Sequence, residues 1–115
     1  MSEDEAEGQA RREFERTLVV TETLIVESHP EGMRTVLGTS RNMSRSGIYV
    51  ESATPLKIGD EVQLFVGSMR SAAALRAVAR VVHVDEGVGF GAHFVDEDEE
   101  SRECVAAFIH RFKKE

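Results

Sequence analysis

One cysteine, no tryptophan, one tyrosine and two prolines occur in 115 residues. The single thiol, Cys104, cannot close an internal disulfide, which fits a reducing compartment. An aromatic share of 6% leaves few rings on which the bases of a nucleic-acid strand could stack, so a nucleic-acid partner is not expected. No apolar run approaches the roughly 18 residues that mark a membrane span. The start, "MSEDEAEGQA", lacks the positive charge and apolar stretch of a signal or transit peptide, so the cytoplasm is the expected location and no membrane association is expected. His29, His83, His93 and His110 show no ligand spacing and there is no cysteine pair, so no metal site is expected. Nucleotide-loop and nucleophile-elbow motifs are missing, and no two acids are set up as a catalytic pair. The expectation is a protein that is not an enzyme and carries no cofactor. Cys104 lies one position before an apolar helical stripe and reads as a half-buried, inert thiol.

Base is also scarce relative to acid, with a formal charge of −7. The excess is blocked rather than spread. Residues 1–8 hold Glu3, Asp4, Glu5 and Glu7 and no base, and residues 96–100 read "DEDEE". Between these blocks the chain is mildly basic, which leaves room for a local anion site but not for a broad nucleic-acid stripe. Residues 1–10 read as a disordered acidic tail.

The rest alternates strands and turns. "TLVVTETLIVES" (17–28) is rich in β-branched residues, with Leu18, Val20, Leu24 and Val26 on one face of a period-two pattern broken by Glu22. "HPEG" turns the chain into a second strand, "MRTVLGTS" (33–40). A polar loop, "RNMSRS", then leads into "GIYVES" (47–52). "EVQLFV" (61–66) is the fourth strand. "AAALRAVARVVHV" (72–84) has a helix-like start, but Val78, Val82 and Val84 favour a strand. "DEG" signals a hairpin into "VGFGAHFV" (88–95). The period then changes: Val105, Phe108, Ile109 and Phe112 form one stripe on a helix over about 97–113, acidic at its start and basic at its end as the helix dipole favours. Six short strands and one amphipathic helix fit a small barrel or sandwich closed by the helix.

Two polar stretches stand out. In "RREFER" Arg12 and Arg16 are four residues apart, and an arginine fork matches a phosphate or the O6/N7 edge of guanine. On spacing alone this stretch reads rather as a charged, solvent-facing segment, with Glu13 and Glu15 partly neutralising it. The second stretch carries Asn42, Ser44 and Gly47.

R-x-x-x-R followed some 26 residues later by N-x-S-x-x-G resembles the double signature of PilZ domains. "GIYVES", "PLKIGDEVQL" and "ARVVHVDEGVGFGAHF" resemble that family's following strands and closing hairpin, so the likeness covers about residues 11–112 and the domain is expected to span 11–115. The resemblance implies a mainly β fold, a six-stranded antiparallel β-barrel of the split-barrel type with a C-terminal α-helix. It also implies binding of the bacterial second messenger cyclic di-GMP. Carried over, Arg12 and Arg16 would grip phosphates and guanine edges, Asn42 and Ser44 would hydrogen-bond a guanine, and Gly47 would let the chain turn. Asn42 fills a slot that is often aspartate, which implies somewhat weaker binding. Arg11 precedes the first motif at a position that influences whether one ligand or two stacked ligands bind, and two are expected. Arg41 and Arg45 flank the second motif as candidate extra phosphate contacts. The implied role is a stand-alone receptor whose N-terminal arm orders on ligand binding and signals to an effector protein that the sequence does not name, in motility, biofilm or other control. The alternative is a PilZ-like interaction adaptor that does not use the nucleotide.

Overall fold

A computed structural model describes residues 16–67, 74–95 and 98–114. The acidic tail, Arg11 and Arg12 lie outside these residues. The elements are β1 Thr17–His29, β2 Gly32–Met43, β3 Gly47–Glu51, β4 Glu61–Val66, β5 Leu75–Asp85, β6 Gly89–Phe94 and α1 Glu99–Lys114. The strands close into one antiparallel barrel in the order β1-β2-β3-β6-β5-β4, with β4 returning to β1. Closure removes the free edges that an open six-stranded sheet would expose. Asn42 and Met43 belong to β2, so the polar stretch between β2 and β3 is a shorter loop than the sequence implied.

The interior is filled by side chains from every strand, among them Ile25, Met43, Ile48, Leu64, Val81 and Phe90, all at most 1% exposed. The inward face of β1 is the opposite of the one its alternation implied. Val19, Thr23, Ile25 and Glu27 point inward, whereas Leu18 is 73% and Val20 49% exposed. Apolar residues occupy both faces of this strand, so alternation alone does not choose between them. Glu22 on the even face was the informative residue, because an unpaired carboxylate is expensive inside. Glu27, only 5% exposed, is inside but matched: Arg34 donates to its Oε2 through Nε at 3.0 Å and Nη2 at 2.7 Å, and the Thr54 hydroxyl donates at 3.2 Å.

Helix α1 packs its expected stripe on the barrel, with Val105, Phe108 and Ile109 buried and Phe112 half-buried. Burying one such phenylalanine contributes about 1.5–3 kcal/mol. The helix starts where Asp98 caps it: its Oδ1 accepts the Ser101 backbone N–H at 2.7 Å, and this bond holds the Asp98 carboxyl below the usual carboxylate range. Cys104 is exposed on this helix, not half-buried, because the buried stripe begins at the next residue. It borders a pocket of about 160 Å³ between α1, β5 and the end of β6, whose lining includes none of Arg16, Asn42, Ser44 and Gly47.

Candidate functional site

The 26-residue spacing between the motifs is the length of a hairpin. β1 and β2 pair antiparallel with Thr17 opposite Met43 and Leu18 opposite Asn42. Arg16, one residue before β1, therefore falls beside the end of β2 and the loop that follows it. Its Nη1 donates to Asn42 Oδ1 at 2.6 Å. This bond fixes the amide: the oxygen faces Arg16, leaving the Nδ2 donors and a second lone pair of Oδ1 for another group.

Asn42 points outward because two irregularities meet beside it. On β1 the register shifts between Leu18 and Thr21, and on β2 it shifts against β3 between Ser40 and Asn42. Ser40 and Met43 are both fully buried although three residues apart, so the inward–outward alternation reverses between them. Under unbroken alternation Asn42, two residues on, would follow Ser40 into the barrel; the bulge at Arg41 turns it outward. Ser40 satisfies the backbone at the β1 bulge. Its hydroxyl donates to the Val19 carbonyl, and its oxygen accepts the Thr21 N–H at 3.2 Å.

Ser44 is 1% exposed and turned into the loop. Its Oγ accepts the Gly47 N–H at 3.2 Å and the Ser46 N–H at 3.3 Å, while its own N–H donates to the Gly47 carbonyl at 2.9 Å. Gly47 does not serve a turn: positive φ occurs at Gly32, Gly59, Gly67 and Gly87, not here. A Cβ at Gly47 would lie 2.6 Å from the Ala92 carbonyl oxygen, so glycine is required for β3 to approach β6. Arg41 lies 3.7 Å from Glu51 Oε1, both side chains half exposed, an arrangement that contributes little to stability. Arg45 is exposed on the loop. The structure thus brings together Arg16, Asn42 and the Ser44–Gly47 loop, with Arg41 and Arg45 at the rim.

Sequence reasoning missed what adjoins them. On the outer wall Asn42 pairs with Tyr49, Tyr49 with Gly91, and Gly91 with His83. The Tyr49 hydroxyl donates to Asp85 Oδ2 at 2.5 Å, and His83 Nε2 lies 2.9 Å from Asp85 Oδ1. The bond to Asp85, with burial and the charges of Asp85 and Glu51 adding to it, pushes the Tyr49 pKa up to about 12. The same bond, with His83 second, holds the Asp85 carboxyl below its ordinary value. The sequence signal was slight: Tyr49 is two residues after Gly47, so strand alternation places it outward. In a spectrophotometric pH titration Tyr49 should ionise near about 12, and in Asp85→Ala it should return toward the ordinary value of about 10. Because the folded phenol is the weaker acid, its contribution to stability is complete below the unfolded pKa and is lost as pH rises through the folded one.

Among the described residues no group of three or more His, Cys, Asp or Glu side chains is placed to hold a metal ion, and no helix is long and apolar enough to cross a membrane.

The architecture is thus a closed six-stranded barrel packed against a C-terminal helix, with an arginine–asparagine pair and a serine-braced loop between β2 and β3. The chain belongs to the PilZ domain family, whose model matches residues 10–111. Domains of this family are generally cyclic di-GMP receptors or adaptors, not enzymes. The fold is similar to that of the Bacillus subtilis inhibitor of motility MotI/DgrA (TM-score 0.66, 18% identity, 90% of this chain and 51% of that one). It is also similar to the PilZ domain of CeSA from a cellulose-synthesizing bacterium (0.64, 15%, 85% and 97%). A third similar structure is Borreliella burgdorferi PlzA in complex with c-di-GMP (0.54, 10%, 95% and 38%). The chain thus spans about half the length of MotI and less of PlzA. No curated protein matches the chain in sequence.

Proposed function

We propose that this protein binds cyclic di-GMP on the outer wall of the barrel and relays the binding to a partner protein. The observation that carries this reading is the Arg16–Asn42 hydrogen bond, which joins two motifs 26 residues apart in one polar site. Arg16 and the rim arginines, Arg41 and Arg45, supply positive charge for the phosphates, and the Asn42 amide reads a guanine edge. Ser44 and Gly47 act through the loop, one bracing it and the other setting its approach to β6.

Arg11 and Arg12 join the ligand when the segment preceding Arg16 folds against this wall. That ordering creates the surface a partner reads. Arg16, already on Asn42, is the fixed point from which the arm closes. An additional guanidinium at Arg11 stacks on a purine and offsets added phosphate charge, so two mutually stacked ligands bind.

Calorimetric titration of the full chain with cyclic di-GMP, GTP and a short single-stranded oligonucleotide tests the reading. Expected is saturable binding of cyclic di-GMP at two per chain, with far weaker binding of the others. Saturation at one per chain would sink the stacked pair. Absence of binding would leave the adaptor that does not use the nucleotide.

A further inference from the structure

The outer wall beside Asn42 carries a ring whose placement the motifs do not explain. Tyr49 stands on β3 and its hydrogen-bond partner Asp85 on β5, with β6 lying between those strands. The side chain must therefore cross β6, and it does so where β6 has no side chains. A Cβ at Gly91 would lie 3.8 Å from Tyr49 Cδ2, and one at Gly89 would lie 2.9 Å from the hydroxyl. The ring runs over the bare backbone of both glycines, pinned at its tip by Asp85, whose other oxygen is engaged by His83. Tyr49 is only half-buried, so part of the ring remains open to solvent.

We infer that Tyr49 is a stacking platform for a guanine base of the ligand, an inference that rests on the receptor reading. Three observations converge. First, the platform is adjacent to the group that reads the base edge, because Asn42 and Tyr49 are register partners on neighbouring strands, where Cβ atoms lie about 4.5–5.5 Å apart. Second, the ring is anchored before binding, so little rotamer entropy remains to be lost when a base settles on it. Third, charge is graded along the wall. Arg16 lies at the Asn42 end, with Arg45 on the loop beyond it, whereas the Asp85 carboxylate and Glu51, which faces Arg41 at 3.7 Å, lie at the other. An anionic phosphate is drawn to the first end and repelled from the second, which leaves the uncharged base over the ring. Stacking accepts any base, so the platform supplies affinity and orientation while Asn42 supplies the choice of guanine.

The composition provides the probe. Tyr49 is the only tyrosine and there is no tryptophan, so the intrinsic emission of the protein reports on this ring. The experiment titrates the full chain with cyclic di-GMP, following emission corrected for nucleotide absorbance, with calorimetry in parallel on wild type, Tyr49→Phe and Tyr49→Leu. Expected is a change in emission that tracks the calorimetric isotherm. Tyr49→Leu should weaken binding by about tenfold or more, and Tyr49→Phe, which keeps the ring, by no more than about threefold. Calorimetric binding with unchanged emission overturns the platform and leaves the receptor reading standing. So does equal loss in the Phe and Leu variants, which would assign the effect to the hydroxyl. Should Tyr49→Leu fail to fold, the wild-type emission and the Phe variant still decide. Absence of calorimetric binding in wild type overturns the receptor reading, and the platform with it.

Discussion

Arg16→Ala is expected to weaken cyclic di-GMP binding by at least about tenfold while barely moving the thermal midpoint. A hydrogen bond to a charged group contributes roughly 1.5–3 kcal/mol, and about 1.4 kcal/mol is a factor of ten. The substitution removes the guanidinium and also releases the Asn42 amide, whose oxygen Arg16 holds at 2.6 Å. Both losses fall on the ligand side. The Arg16–Asn42 pair is exposed, so the barrel itself loses little. Arg12→Ala should show a binding loss of the same order. Arg16→Lys separates charge from geometry: a point charge retains the attraction to phosphate but not the planar fork, so intermediate affinity is expected. Isothermal titration of the three variants, with melting curves alongside, checks this. Wild-type affinity in both alanine variants would remove the arginines from the site.

The second large effect concerns a motif residue that acts through the fold. Gly47→Ala would place a Cβ 2.6 Å from the Ala92 carbonyl oxygen, and 3.2 Å from the His93 ring. A backbone carbonyl in a strand pair cannot swing aside as a flexible side chain can, so β3 and β6 must separate locally. Overpacking of this kind costs about 1–3 kcal/mol, or roughly 5–15 °C in the midpoint for a domain of about this size. Gly91→Ala is the control. Its Cβ would meet only ordinary contacts, at 3.6 Å to His83 and 3.8 Å to Tyr49, so a shift of a few degrees at most is expected. A Gly47→Ala protein that melts like wild type would show that the two strands have room to spare.

Much of this architecture is legible in the sequence. The bounds of β4 and the stripe on α1 follow directly from alternation and helical period, because each has one apolar face. β1 has two, so alternation alone does not say which one points inward. The outward turn of Asn42 was illegible for a related reason: bulges reverse alternation, and nothing local in "TSRNM" marks Arg41 as the extra residue. The Arg16–Asn42 contact could be anticipated from hairpin length once β1 and β2 were recognised as partners. The Tyr49–Asp85 bond could not, since it depends on β6 lying between β3 and β5, a pairing between strands distant in sequence. Gly47 shows the remaining gap. Its position in the motif was plain, but its reason, a close approach to Ala92, exists only after the barrel closes.

The central claim is that the ligand face is the outer wall running from Arg16 through Asn42 to Tyr49. Backbone amide NMR shifts on titration with cyclic di-GMP test it most directly. The largest changes are expected at Arg16, Asn42–Gly47 and Tyr49, with further changes at Arg11 and Arg12. Changes concentrated instead at the pocket beside Cys104 and α1, with Arg16, Asn42 and Tyr49 unmoved, would contradict it.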